Sequence, residues 1–156
     1  MTITEASIAM VFKMHGENLQ RQLIARLVRM GPQALTPLCG ICEGDYPPSV
    51  VRWAMDALGS FPGPRALRLI KCGLMHSSMS VRLHAMLAVR QLNDGALARY
   101  IRPLLDDESG GIRVNAVAII AELKPRWLKT ELRRALRDDK AYVREIAARL
   151  LESLRS

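Results

Sequence analysis

Apolar positions recur along this chain at a spacing of 31 residues. Four columns of aligned positions hold only leucine, isoleucine, valine, methionine or alanine. Within each unit the columns fall at i, i+4, i+5 and i+8, which is one stripe of a helix with 3.6 residues per turn. The columns are Leu19, Val50, Val81, Ile112 and Val143; Leu23, Ala54, Ala85, Ala116 and Ala147; Ile24, Met55, Met86, Val117 and Ala148; and Leu27, Leu58, Val89, Ile120 and Leu151. Self-similarity at this period predicts a helical-repeat protein.

Each unit also contains a second helical stretch, in which Ile70 and Leu74 recur as Ile101 and Leu105. Glycine and proline at the junctions end one helix and begin the next. The predicted helices span 4–14, 17–30, 32–43, 48–60, 63–76, 79–92, 94–106, 110–122, 125–138 and 140–154. No segment alternates apolar and polar residues long enough to predict a strand, so the predicted fold class is all-α.

The repeat predicts a single domain over 1–156. Its predicted parts are an N-terminal capping helix in 1–16, repeats at 17–47, 48–78, 79–109 and 110–139, and a terminal helix in 140–156. The first segment carries Ile8, Met10, Val11 and Phe12, which we expect to cover the open apolar end of the first repeat.

Three short motifs show the family that the repeat resembles. They are Ser80-Val81-Arg82 with Ala85, Gly111-Ile112-Arg113 with Ala116, and Tyr142-Val143-Arg144 with Ala147. With them the chain resembles the HEAT-repeat family over about residues 17–154, specifically its short type known as phycobilisome-lyase-like HEAT repeats. The resemblance implies a right-handed α-solenoid of about five units and about ten helices, with the second helix of each pair on the concave side. It also implies an aspartate–arginine ladder in which Asp107 pairs with Arg113 and Asp138 pairs with Arg144.

The predicted concave face is basic and contains two aromatic residues. Arginine recognises carboxylates and phosphates through its planar fork, and aromatic rings anchor partners or stack on bases. The register also places Glu131 on this face. The candidate binding residues are Arg65, Arg68, Arg99, Tyr100, Trp127, Thr130, Arg134 and Arg137. A solvated basic surface with Trp127 packed at a repeat junction is the other interpretation of the same pattern.

The net charge of the chain bears on the kind of molecule that it binds. The chain of 156 residues has a formal net charge of +8, with 49% hydrophobic and only 4% aromatic residues. Such an excess is typical of proteins that bind nucleic acid, anionic membranes or acidic proteins, and it is also found as a solubility feature spread over a helical surface. The first residues lack the basic and apolar regions of a secretion signal, and no apolar run approaches the ~20 residues that span a bilayer. We therefore expect a cytoplasmic protein without a membrane partner, and its homo-oligomeric state stays open.

Three cysteines and one histidine form a candidate metal site. Cys39 and Cys42 make a CxxC pair, and Cys72 with His76 lies one repeat later. These four residue types suit tetrahedral zinc, but the gap of ~8–10 Å between adjacent helices disfavours a shared site. A buried, unliganded Cys42 is the competing interpretation. The prediction is no metal and no cofactor.

No catalytic constellation is recognisable. The histidines, His15, His76 and His84, have no nucleophile at a recognisable spacing, and no glycine-rich phosphate loop is present. The first hypothesis is a non-catalytic scaffold that holds an acidic protein or peptide. The alternatives are a nucleic-acid-binding solenoid that uses the same face, and a lyase-type accessory subunit for a chromophore-bearing protein.

Overall fold

The computed structural model describes residues 4–14 and 16–154; His15 lies outside them. The chain divides into two compact units, Met1–Leu92 and Asn93–Ser156. Within the described ranges every element is helical, so the all-α prediction is confirmed. None of the helices in these ranges combines the length and apolarity needed to cross a membrane. The single-domain organisation and the repeat boundaries stay a prediction.

The helices follow the predicted map closely. The first unit contains α1 (Glu5–Lys13), α2 (Glu17–Met30), a 3-10 turn (Gly31–Ala34), α3 (Leu35–Glu43), α4 (Pro48–Leu58), α5 (Pro64–Leu74) and α6 (Met79–Leu92). The second contains a 3-10 turn (Gly95–Leu97), α7 (Ala98–Ile101), a second 3-10 turn (Arg102–Asp106), α8 (Gly110–Leu123), α9 (Leu128–Ala135) and α10 (Ala141–Ser153). The main difference is at 94–106, where only four residues are α-helical. Pro103 lacks the N–H that an α-helical bond to the residue four positions earlier would need, so the chain continues as a 3-10 turn.

The apolar columns form the core of each unit. Val50, Val81, Ile112 and Val143 are at most 1% exposed, and the alanines of the second column are fully buried. The small second column allows neighbouring helices to approach closely, and the larger third and fourth columns fill the space around it. The columns are less well buried at their ends, where Leu23, Ile24, Ala148 and Leu151 are half-buried. Leu19 departs most: the repeat predicts a core residue, but Leu19 is 43% exposed and lines an open groove, so that prediction is wrong.

Each second-type helix contributes at least one fully buried large apolar residue to the core. These residues are Leu38, Ile70, Ile101 and Leu132, all 0% exposed. Burying a side chain of this size contributes roughly 1.5–3 kcal/mol to the free energy of unfolding. They therefore tie each second helix to its unit and leave the opposite side of that helix in solvent.

Helix α1 packs against α2, α3 and α4 through Ile8 and Phe12, which are 1% and 2% exposed. A capping box begins the helix, since the Thr4 hydroxyl accepts a bond from the Ser7 N–H and the Ser7 hydroxyl oxygen accepts one from the Thr4 N–H. The role of this segment as a cap on the first repeat stays a prediction. Met10, which shares the segment, is 68% exposed.

The aspartate–arginine pairs differ from the implied ladder. Arg113 bonds the carboxylate of Asp138 in the following turn, at 2.7 Å from Nε and 2.8 Å from Nη2. Toward its own turn it donates from Nη1 to the backbone oxygen of Asp107 at 2.9 Å. Arg144 likewise donates to the backbone oxygen of Asp138 at 2.8 Å. Each arginine therefore caps the carbonyls of the turn before it, and the carboxylate that Arg113 meets belongs to the next repeat.

Candidate functional site

Two of the predicted binding residues lie in the first unit, on the exposed side of α5. Arg68 Nη2 is 3.1 Å from the Glu43 carboxylate, and Arg65 Nη2 is 3.9 Å from it. All three side chains are at least 42% exposed, so solvent screens these pairs and they add little stability. One carboxylate shared by two guanidinium groups leaves a small basic patch at this surface.

The other predicted residues lie in the second unit, around α7 and α9. The guanidinium carbon of Arg99 stands 5.0 Å from the centre of the Tyr100 ring, within the range of a cation–π contact. Trp127 directly precedes α9 and is half-buried. Thr130, Arg134 and Arg137 follow it along the chain and are exposed.

Glu131 is the main departure from the predicted face. The register predicts an exposed side chain, whereas Glu131 is 4% exposed. Its Oε1 accepts from Arg102 Nε at 2.8 Å and Nη2 at 2.7 Å, and its Oε2 lies 2.9 Å from Arg134 Nε. A buried carboxylate requires such partners, because removing an unpaired charge from water is very costly. Glu131 therefore lies enclosed by arginines and does not add an exposed carboxylate to this face.

Arg134 is consequently less available than the sequence predicts. Besides Glu131, it bonds the Asp106 carboxylate from Nη1 at 3.0 Å. Two acidic side chains thus offset its charge within the unit. Arg137 carries no such pair among the described residues and remains exposed.

Arg102 is a contributor that the sequence analysis missed. Its guanidinium carbon lies 5.2 Å from the centre of the Trp127 ring while its nitrogens bond Glu131. Arg102 therefore fixes the indole from one side. The sequence feature that could have identified Arg102 is its position three residues after Arg99, because that spacing places both arginines on neighbouring turns of one helical face.

The geometry points to a basic cleft in the second unit as the strongest candidate site. It encloses about 340 Å³. None of the described residues that line it is acidic, and three of them are cationic. The lining is Gly95, Ala96, Arg99, Leu123, Lys124, Pro125, Arg126 and Trp127. The cleft therefore joins three positive charges to one indole face and a small apolar floor.

Two turns bring the walls of the basic cleft together. Lys124 ends α8 in the left-handed conformation, with φ of 49°, and donates its N–H to the Ile120 oxygen at 3.0 Å. Glycine at 95 permits the close approach of the other wall, because a Cβ there would lie 3.0 Å from the Leu123 oxygen. The sequence pattern gave Lys124 and Arg126 no binding role, and Arg126 lies within the predicted helix 125–138. The feature that could have identified them is a pair of cations next to an aromatic residue between two helices, since connecting segments often carry binding residues.

The structure does not bring the four candidate metal ligands together. No group of three or more His, Cys, Asp or Glu side chains that could hold a metal occurs within residues 4–14 and 16–154. Cys39 is fully buried and Cys72 is exposed. Burial raises the pKa of the Cys39 thiol and raises that of Cys42 to about 12. His76 uses Nδ1 to accept the Ser78 N–H at 2.9 Å.

These environments predict unequal cysteine reactivity. Iodoacetamide is expected to modify Cys72 well before Cys39 and Cys42 in the folded protein, because only thiolate reacts and burial disfavours it. Peptide mapping by mass spectrometry after a short exposure measures the order. Unfolded protein in urea serves as the control, in which all three should react at similar rates. Equal modification of Cys39 and Cys72 without denaturant would contradict the described burial.

His84 and Asp56 form a pair at the contact between α4 and α6. His84 Nδ1 lies 2.8 Å from Asp56 Oδ1, and the His84 ring meets the edge of Trp53 with ring centres 5.7 Å apart. Trp53 is 3% exposed and His84 is half-buried. The pair thus joins α4 to α6 beside the core.

The fold is shared with helical-repeat proteins of known structure. A chain from the complex of CpcE and CpcF of phycocyanin lyase from Nostoc sp. PCC7120 is similar with a TM-score of 0.76 and 19% identity, covering 94% of this chain and 96% of that one. A computationally designed armadillo repeat protein for modular peptide recognition has a TM-score of 0.59 and 19% identity, covering 95% and 81%. Another designed armadillo repeat protein, in complex with the peptide (KR)4, has a TM-score of 0.52 and 16% identity, covering 94% and 85%. No protein-family model and no curated protein matches the chain. The chain thus has the HEAT/armadillo-like helical-repeat solenoid fold.

Proposed function

We propose that this protein is a non-catalytic helical-repeat scaffold that binds an acidic protein or peptide, and that the basic cleft is its principal anchor. The observation that carries the proposal is the lining of that cleft, which holds Arg99, Lys124, Arg126 and Trp127 and, among the described residues, no carboxylate. A scaffold of packed helices holds such a cleft rigid, which lowers the entropy lost on binding.

Each part of the cleft has a distinct role in this proposal. Arg99 and Arg126 bond carboxylates of the partner, since guanidinium groups match carboxylate geometry in two-pronged bonds. Trp127 supplies apolar contact area and is the residue expected to contribute most to affinity, as tryptophan does at many interfaces. Arg102, whose Nε donates to Glu131, stands over the indole ring and holds it in place. Arg65 and Arg68 form a secondary basic patch on the first unit.

The fold supports peptide binding, and the charges of the cleft favour a peptide of negative charge. A designed armadillo neighbour is solved with (KR)4, a peptide of basic residues. The cleft of this chain is itself basic, so an acidic segment is the electrostatic complement. The likeness to a phycocyanin lyase chain rests on fold at 19% identity. A lyase-type accessory role would require a chromophore-bearing partner.

Nucleic acid is the second candidate, because three cations beside an indole also suit phosphates and a stacked base. The dependence of affinity on salt concentration distinguishes nucleic acid from an acidic protein or peptide. Each phosphate that is neutralised releases counterions, so nucleic-acid affinity falls log-linearly and steeply with salt. The affinity of an interface that depends on the burial of Trp127 is expected to fall less steeply with salt.

The first test is a titration with two labelled probes, a glutamate-rich peptide and a single-stranded DNA oligonucleotide of the same length, followed by fluorescence anisotropy. The Trp127→Ala substitution is expected to weaken peptide binding by about 2 kcal/mol, roughly 30-fold, because it removes the central anchor. Arg126→Glu should weaken it at least as much, since it places a carboxylate among the cations.

The matched control is Arg90→Glu, which makes the same charge change at an exposed position of α6 outside the cleft. It is expected to change affinity only slightly. Equal peptide binding by Trp127→Ala and the unaltered protein would refute the cleft as the anchor. Preference for the oligonucleotide with a steep salt dependence would replace the proposal with the second candidate.

A further inference from the structure

An apolar groove lies on the first unit, between α1 and α2, far along the chain from the basic cleft. It is open to solvent and encloses about 550 Å³. Its apolar wall contains Val11 from α1 together with Leu19 and Leu23, which are one turn apart on α2. The full lining is Val11, Leu19, Gln22, Leu23, Ala25, Arg26 and Arg29.

The repeat itself shows that this groove is an uncovered core face. Leu19 belongs to the column whose other members are at most 1% exposed, yet it is 43% exposed. Leu23 belongs to the column whose alanines are fully buried, and it is half-buried. Helix α2 thus presents to solvent part of the apolar stripe that is buried on α4, α6 and α8. An apolar patch bordered by polar residues is typical of an interaction site.

The charges at the groove indicate what covers it. Arg26 and Arg29 line one side, and none of the described lining residues is acidic. Two copies of this chain joined through the groove would bring these arginines toward each other, which is unfavourable. A partner with carboxylates beside its apolar stripe complements both features. An amphipathic helix fits such a groove, because it presents one apolar face to the groove and polar side chains beside that face.

We infer that the groove docks an amphipathic helix of another protein, with leucine-type residues on one face and acidic residues beside them. Leu19 and Leu23 contact the apolar stripe, while Arg26 and Arg29 pair with the flanking carboxylates. This groove shares no described lining residue with the basic cleft. The inference does not depend on the function proposed for the cleft.

The test uses two synthetic helical peptides as long as the 14-residue α2. Both carry leucine at i, i+3, i+4 and i+7, and they differ only in having glutamate or lysine beside that stripe. Anisotropy with the complete chain is expected to show the glutamate peptide binding at least about tenfold more tightly than the lysine peptide. The Leu19→Glu and Arg26→Glu variants should each weaken its binding by at least about tenfold.

Val28→Glu is the matched control for Leu19→Glu. Val28 is also on α2 and is 37% exposed, but it does not line the groove. That variant should bind the glutamate peptide as the unaltered chain does, and so should Trp127→Ala, which reports on the basic cleft. Failure of the glutamate peptide to bind near 1 mM, about 4 kcal/mol, would overturn the inference. So would equal weakening by Val28→Glu, or a dimer in solution that Leu19→Glu dissociates.

Discussion

Replacing Arg113 with alanine is expected to lower the free energy of unfolding by about 3–5 kcal/mol. The Arg113 and Asp138 side chains are only 11% and 10% exposed, and the guanidinium group bonds both carboxylate oxygens. Removing the cation leaves a buried carboxylate without its main partner and also releases the backbone oxygen of Asp107. A loss of this size is a large fraction of the stability of a typical domain. Urea denaturation followed by circular dichroism measures it.

Arg144→Ala is the control for Arg113→Ala. Arg144 occupies the same repeat position but is exposed and bonds only backbone oxygens of the preceding turn. Its loss should cost about 1 kcal/mol or less. The double variant Arg113→Ala/Asp138→Asn should recover part of the stability, because no unpaired charge is then buried. Equal losses for Arg113→Ala and Arg144→Ala would show that the carboxylate pair adds nothing to the shared capping role.

The same pair predicts a dependence of stability on pH. The Arg113 hydrogen bond lowers the pKa of Asp138 to about 2. Because this pKa is lower in the folded chain than in the unfolded one, where it is about 3.9, the contribution is complete at neutral pH. It is lost as the pH falls from about 4 through about 2, and amounts to roughly 2 kcal/mol. Asp138→Asn should flatten the fall of stability over this range, and an unchanged fall would contradict the assignment.

The second large effect is expected from Leu27→Ala, at about 2–5 kcal/mol in the free energy of unfolding. Leu27 is fully buried in the first unit, so the shorter side chain loses its apolar contacts and leaves a cavity. Helix propensity does not offset this loss, since leucine and alanine both favour helices. Denaturation in urea gives the value.

Leu19→Ala makes the same change on the same helix and is expected to cost about 1 kcal/mol or less, because Leu19 is 43% exposed. The contrast tests the finding that Leu27 lies in the core whereas Leu19 lines an open groove on the same helix. If Leu19→Ala destabilised the chain as strongly as Leu27→Ala, Leu19 would be a core residue and the groove would not be an open surface.

The periodic columns made most of the fold predictable from the sequence. Val50, Val81 and Ile112 are buried because each lies on a helix that other helices cover, and spacing alone identifies that stripe. Leu19 has the same spacing and a different environment. Periodicity marks the side of a helix that is able to pack, and it carries no information about whether another helix covers it.

The candidate site was predictable only in part. Arg99 and Trp127 were identified by their place on the second helices, and both line the basic cleft. Lys124 and Arg126 lie in the turn before α9, where helical register gives no direction for a side chain. Glu131 has the register of a surface residue, but Arg102 and Arg134 enclose it. Which guanidinium meets which carboxylate depends on distances across repeats that spacing does not fix.

The most direct test of the scaffold account is capture of partners from a lysate of the native host on the immobilised chain, with and without nuclease. The bait for comparison is Trp127→Ala/Arg126→Glu, and circular dichroism establishes that it is folded. If the basic cleft anchors an acidic partner, the unaltered chain is expected to capture an acidic protein that survives nuclease and is lost with the double variant. Recovery of the same proteins by both baits would contradict it, and nucleic acid lost with the variant would assign the basic cleft to phosphate binding.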